Sequence, residues 1–320
     1  MSIFKPRATF MPFEYPQFHE YWLKANQAHW IHTEVSMSSD INDWKINLTD
    51  KERHLIGSIL KGFTQTEIFI GNDFWSGRLL KQIKKPELQM MFATFASFEA
   101  IHANGYSYLD QSLGLDDYES FMHEPTVKAK IDRLMNVKAK TISDTAKAIA
   151  IFSAFNEGVA LFSSFAVLLN FSRFNKMKGM GQIIAWSCLD EDLHSRAGCE
   201  IFRVITKENP EILTDEFKKD IYEAARLTIE LEDAFLENAF KDGDCPGLSL
   251  AEMKTFIRNR ANNKLQELGL KTNWKNIDKS HLDNMQWFSI LTEGSTQQDF
   301  FAGREVSYSK GNIDWGKMWE

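Results

Sequence analysis

The sequence predicts an all-α helical bundle, on three observations. Apolar residues recur in steps of three and four over long stretches, the period of a helix with one buried face. Only 7 prolines interrupt 320 residues, and helix interiors exclude proline. No run of useful length alternates apolar and polar residues, so strands have no support. Hydrophobic residues make up 43 % of the chain and charged residues 25 %, the composition of a globular protein with a large core. The net charge of −7 argues against nucleic-acid and anionic-membrane partners. Three cysteines cannot build a disulfide framework, and the opening Met1-Ser2-Ile3-Phe4-Lys5 is no signal peptide. The expected location is therefore the reducing cytoplasm.

Each element follows from local signals. Residues 1–45 read as an irregular, aromatic-rich N-terminal arm containing Pro6, Pro12 and Pro16. Thr49-Asp50-Lys51-Glu52 is a capping box and opens a stripe at Ile56, Leu60, Phe63, Ile70 and Phe74. Pro86 suits the first turn of a second helix, with Leu88, Phe92, Phe95 and Leu109 on one face and Gly114 at its end. A shorter helix follows Pro125. Ala148–Leu169 is nearly long enough to span a bilayer, but Asn156 and Glu157 interrupt it. It reads as a fully buried helix, running from near Ser143 to Phe171. Further helices are expected after Gly181 to Lys207, over Thr214–Phe240 and from Ser249. From about Glu293 periodicity is lost. The domain division is thus an arm, a helical domain over 46–292 and a flexible tail over 293–320.

Four of these helices carry acids on the buried face. Glu67 lies on the first stripe. Glu99, His102 and Tyr106 lie on the second. Glu157 sits among Ala150, Ala154, Leu161 and Leu168, and Glu191 and His194 share a fourth helix. A buried, unpaired carboxylate costs several kcal/mol or neutralises itself. Two divalent cations resolve all four at once, because four carboxylates balance two M²⁺. Glu-x-x-His places two ligands one turn apart on one face, so each pair can hold one ion, and the lone glutamates bridge or complete the set. A Glu from each of two helices and Glu-x-x-His from each of two others is the ligand pattern of ferritin-like dimetal-carboxylate bundles. Glu-x-x-His occurs in two places, Glu99–His102 and Glu191–His194. No phosphate-binding loop competes with this reading: Gly179-Met180-Gly181 follows no strand, and no Walker motif is present. Cys188 reads as a small core residue.

With this ligand set, nearly the whole chain resembles the radical-generating small (beta) subunit of class I ribonucleotide reductase. The specific stretches are EIFIGN from Glu67, SFEAIHANGYSYL around Glu99, FNEGVALFSSF around Glu157, FNKMKGMG, and LDEDLH from Leu189 to His194. The ligand order, with gaps of 32, 58 and 34 residues, is also similar. The resemblance implies a homodimer with a dinuclear metal site in each subunit. It implies that the oxidised site passes a one-electron hole to a large catalytic (alpha) subunit, which reduces ribonucleotides. Trp30, in HWIHTEV, is similar to the family's relay tryptophan. Asp190 is similar to the carboxylate linking that tryptophan to a ligand histidine, here His102. Tyr308, in the tail, is the candidate for the tyrosine that carries the hole across the subunit interface. Trp315 and Trp319 resemble anchors of the tail that docks on the large subunit.

The first ligand departs from the commonest pattern, in which Asp stands where this chain has Glu67. Glu there resembles manganese-using subgroups. One of these pairs manganese with iron and lacks the radical tyrosine, whereas Tyr106 is present here. The combination is most similar to the subgroup with two manganese ions, with two iron ions or a manganese/iron pair as alternatives. A ferritin-like oxidase acting on a small or fatty substrate, and a metal store, are the competing functions; dependence on a large subunit separates them from the reductase.

Overall fold

Residues 2–115, 117, 119 and 123–292 are described by the computed structural model. Among them there is no strand; one isolated bridge joins Cys245 to Leu248. Helix α1 (Pro16–Gln27) and the short α2 (Ser38–Asn42) precede the bundle. Helix α3 (Asp50–Phe69) starts at the Thr49 cap, where Thr49 Oγ1 accepts from the Glu52 amide at 3.2 Å and Glu52 accepts from the Thr49 amide at 2.8 Å. It continues in π turns over Ile70–Leu79. Helix α4 (Pro86–Leu113) begins on its proline and ends on Gly114, whose φ of 71° a side chain would disfavour. After α5 (Pro125–Met135), a long rod combines α6 (Ile142–Ile149), π turns over Ala150–Ala160 and α7 (Leu161–Arg173). Helices α8 (Lys178–Glu208), α9 (Asp215–Ala239), α10 (Leu250–Glu267), α11 (Lys279–Asn284) and α12 (Gln286–Thr292) follow.

Four rods form the core: α3 with its π extension, α4, the α6–α7 rod, and α8. Helix α3 packs on α4, and the π turns of the long rod pack on α8, α9 and α10. The segment Ile142–Arg173 is long and apolar enough to cross a membrane, yet 89 % of its most apolar window is buried inside the protein. It is the central rod that the sequence predicted.

Three features differ from the sequence reading. The arm contains α1, because Pro16 fits a first helical turn and Phe18 and Ala25 bury against the bundle. Helix α8 starts at Lys178, before both glycines. Asp40 supplies the missing cap: its Oδ2 accepts from the Gly179 amide at 2.9 Å and its Oδ1 from the Met180 amide at 2.8 Å. Both glycines serve close approach: a Cβ on Gly179 would lie 2.9 Å from Met37 Sδ, and one on Gly181 1.9 Å from Ser172 Oγ. Third, π turns interrupt two of the stripes that the 3.6-residue period treated as continuous.

Candidate metal centre

The four rods deliver the six sequence-predicted residues to one place. Glu67 comes from the last turns of α3, Glu99 and His102 from α4, Glu157 from the π turns of the long rod, and Glu191 and His194 from α8. All six are at most 1 % exposed. Their ligand atoms fall into two groups, each within 4.8 Å: Glu67, Glu99, His102 and Glu191, and Glu99, Glu157, Glu191 and His194. Glu99 and Glu191, the acids of the two Glu-x-x-His pairs, belong to both groups. Glu67 and Glu157 each belong to one.

The electrostatics show a cluster built around positive charge. Both oxygens of Glu67, Glu99 and Glu191, with Oε2 of Glu157, are buried without a hydrogen-bond partner, as are His102 Nδ1 and both ring nitrogens of His194. The rings lie close to the acids all the same: His102 Nδ1 is 2.9 Å from Glu191 Oε1, and His194 Nδ1 is 3.1 Å from Glu99 Oε1. These are close charge contacts without hydrogen-bond geometry. Burial, then the neighbouring carboxylates, pushes Glu67 and Glu157 well above the ordinary carboxylate range. Burial pushes Glu99 the same way, but the two imidazoles outweigh it and hold Glu99 at about 2. Burial works against protonated histidine, yet the facing carboxylates raise His102 far above its usual value and His194 to about 10. So many unsatisfied oxygens, converging with two imidazoles, fit a pair of hard-to-borderline divalent cations.

An outer shell connects to this cluster. Asp190 Oδ2 accepts from Trp30 Nε1 at 2.8 Å and lies 3.1 Å from His102 Nε2. Trp30 is buried, its ring tilted only 21° from that of His102 at 5.9 Å. The structure thus joins Trp30, Asp190 and His102 in one chain of contacts. Tyr106 is fully buried, its hydroxyl has no hydrogen-bond partner, and its ring stacks on Phe63 at 4.8 Å. Burial and the nearby Glu67 raise its pKa far above the usual phenol value. Tyr308, Trp315 and Trp319 lie outside the described residues.

Sequence reasoning missed two contributors. Trp75 Nε1 donates to Glu157 Oε1 at 3.0 Å. Trp75 stands one residue off the stripe that ends at Phe74, and the π turns widen the buried arc so that both rings enter the core. A tryptophan beside an acid-bearing face was its only signal. Gly105 lets Trp30 reach across α4: a Cβ there would lie 3.2 Å from the Trp30 ring.

Comparison with known proteins agrees with this architecture. Residues 7–280 match the family described as "Ribonucleotide reductase, small chain". A probable ribonucleoside-diphosphate reductase small subunit of Invertebrate iridescent virus 6 is 31 % identical, over 100 % of this chain and 99 % of its own. The ribonucleoside-diphosphate reductase subunit beta of Chlamydia pneumoniae is 27 % identical over 95 % of this chain and 91 % of its own. The crystal structure of Streptococcus sanguinis dimanganese(II)-NrdF superposes with a TM-score of 0.76 at 21 % identity, covering 88 % of this chain and 99 % of its own. A buried carboxylate–histidine cluster able to take two metals, an all-α ferritin-like fold and a family match over most of the length converge: the chain belongs to the ribonucleotide reductase small-chain family and is a small subunit of ribonucleoside-diphosphate reductase.

Proposed function

We propose that Glu67, Glu99 and His102 would hold one cation and Glu157, Glu191 and His194 the second, with Glu99 and Glu191 within reach of both. The observation that carries this reading is the pair of four-residue groups sharing those two acids. Two manganese ions are the proposed resident pair. The argument is Glu67, where iron–tyrosyl relatives carry Asp; a fold neighbour from Streptococcus sanguinis is itself described as dimanganese. When bound, the metal pair supplies the one-electron oxidising chemistry that the large subunit needs.

The remaining roles fall to the chain's own residues. Asp190 orients His102 through Nε2, the usual outer partner of a ligating imidazole. The same carboxylate is placed to hold the Trp30 indole proton when Trp30 is oxidised. Trp75 fixes one oxygen of Glu157. The apolar rings of Phe63, Phe95 and Phe165 keep water away from the cluster. Tyr308 is proposed to carry the hole onward, and the tail, through Trp315 and Trp319, to dock on the large subunit. The working form is proposed to be a cytoplasmic homodimer.

Metal analysis of the chain purified from its own host, with electron paramagnetic resonance of the active form, tests this reading. Glu157→Ala is expected to lose tightly bound metal and all activity with the large subunit. Two bound metals and full activity in that variant would overturn the ligand assignment.

A further inference from the structure

Glu157 lies in the part of the long rod that is not α-helical. A π turn holds an extra residue and persists where its surroundings keep it, so the contacts that hold this one matter. Trp75 grips the Glu157 carboxylate itself. A second residue grips the backbone. Arg260, on α10, donates from Nε to the carbonyl oxygen of Gly158 at 2.9 Å. Its guanidinium carbon also stands 3.5 Å from the centre of the Phe162 ring, one turn further along. Arg260 therefore touches the rod on both sides of the junction where the π turns over Ala150–Ala160 give way to α7. The rod has no slack there, because a Cβ on Gly158 would fall 2.5 Å from Ser195 Oγ and 2.7 Å from Lys264 Cε.

We propose that Arg260 is a positioning residue for Glu157: by holding the Gly158 carbonyl and the Phe162 ring it sets where the π turns end, and so where the Glu157 carboxylate points. Moving that junction by one residue turns a side chain by about 100°, the angle per residue of a helix, which would carry Glu157 off the cluster. The inference rests on Glu157 being a ligand. It is selective, because the group containing Glu67 draws only on α3, α4 and α8.

Manganese(II) titration of the full chain, followed by loss of the free-ion resonance signal, tests it by a readout other than activity. Arg260→Met keeps the stem and loses the donor. One of two manganese equivalents is expected to weaken by about tenfold or more, the scale seen when a ligand loses its outer support, while the other keeps its affinity. Arg260→Lys retains a donor and is expected to recover part of the loss. Wild-type binding in Arg260→Met, or equal weakening of both equivalents, would overturn the proposal. Should Arg260→Met fail to fold, Arg260→Lys carries the test, with a smaller loss confined to one equivalent. If Glu157→Ala itself binds two equivalents like wild type, it is the ligand reading that fails. If Glu157→Ala loses one and Arg260→Met loses none, only the positioning role fails.

Discussion

Tyr106 is the residue on which two oxidants part. It follows His102 by one turn and sits fully buried beside the cluster, in a pocket closed by Phe63. Ser187, one turn before Glu191, is buried against the same pocket. Its hydroxyl donates back to the Ile183 carbonyl at 3.1 Å, and Ser187 eases the Tyr106 pKa downward against the larger effect of burial. The proposal that Tyr106 is not the stored oxidant rests on Glu67. Tyr106→Phe is expected to keep substantial activity once the site is oxidised, and the active protein to give the spectrum of coupled metal ions. A sharp tyrosyl signal that tracks activity, with both absent from Tyr106→Phe, would favour the iron–tyrosyl alternative.

At the scale of elements, the helix starts divide into local and borrowed. The start of α3 is local, and its Glu52 does double duty, accepting from the Thr49 amide and from Lys176 Nζ at 2.7 Å. Burial raises the Glu52 pKa, but Lys176 and Thr49 outweigh it, so the net shift is downward. A carboxyl with a depressed folded pKa adds stability that is present above its unfolded value and is lost as pH falls through the folded one. Glu52→Gln should therefore destabilise the protein by about 1 kcal/mol near neutral pH, because Gln can still accept from the Thr49 amide but loses the charge that strengthens this bond and the pairing with Lys176. The gap from wild type should close as pH drops below about 4, the unfolded range of glutamate. Denaturant melts at pH 7 and pH 3.5 measure both values; a constant gap would remove Glu52 from this role. The start of α8 is borrowed, because its amides bind Asp40, which lies 139 residues earlier.

For the whole molecule, the proposed division of labour is between a rigid four-rod core that holds the site and a tail that makes the partner contact. The two should separate experimentally. Deleting the last six residues is expected to raise, severalfold, the concentration of this chain needed for half-maximal activity with the large subunit, leaving metal content unchanged. Tyr308→Phe is expected to abolish turnover without weakening subunit binding much. Activity in Tyr308→Phe would mean that another tail residue carries the hole. An unchanged half-maximal concentration after the deletion would remove Trp315 and Trp319 from docking.

Helix identity, the capping box at Thr49, the Gly114 stop and the buried phase of all six cluster residues were legible in the sequence, because each depends on spacings of four residues or fewer. Those spacings also named Glu99–His102 and Glu191–His194 as pairs. The same spacings put Tyr106 on the buried face, whereas Trp30 and Asp190 were reached by resemblance, and only the fold brings Trp30 within 2.8 Å of Asp190 across 160 positions of chain. Trp75 left only its place beside an acid-bearing face, and Arg260 could not be read at all. Their partners lie 82 and 102 residues away, and the π turns that bring Glu157 into range break the very period from which helix faces are inferred. Local backbone physics repeats along the chain and leaves a pattern. Which distant side chain meets which carbonyl depends on how the rods pack, a free energy summed over the whole core that no short window of sequence contains.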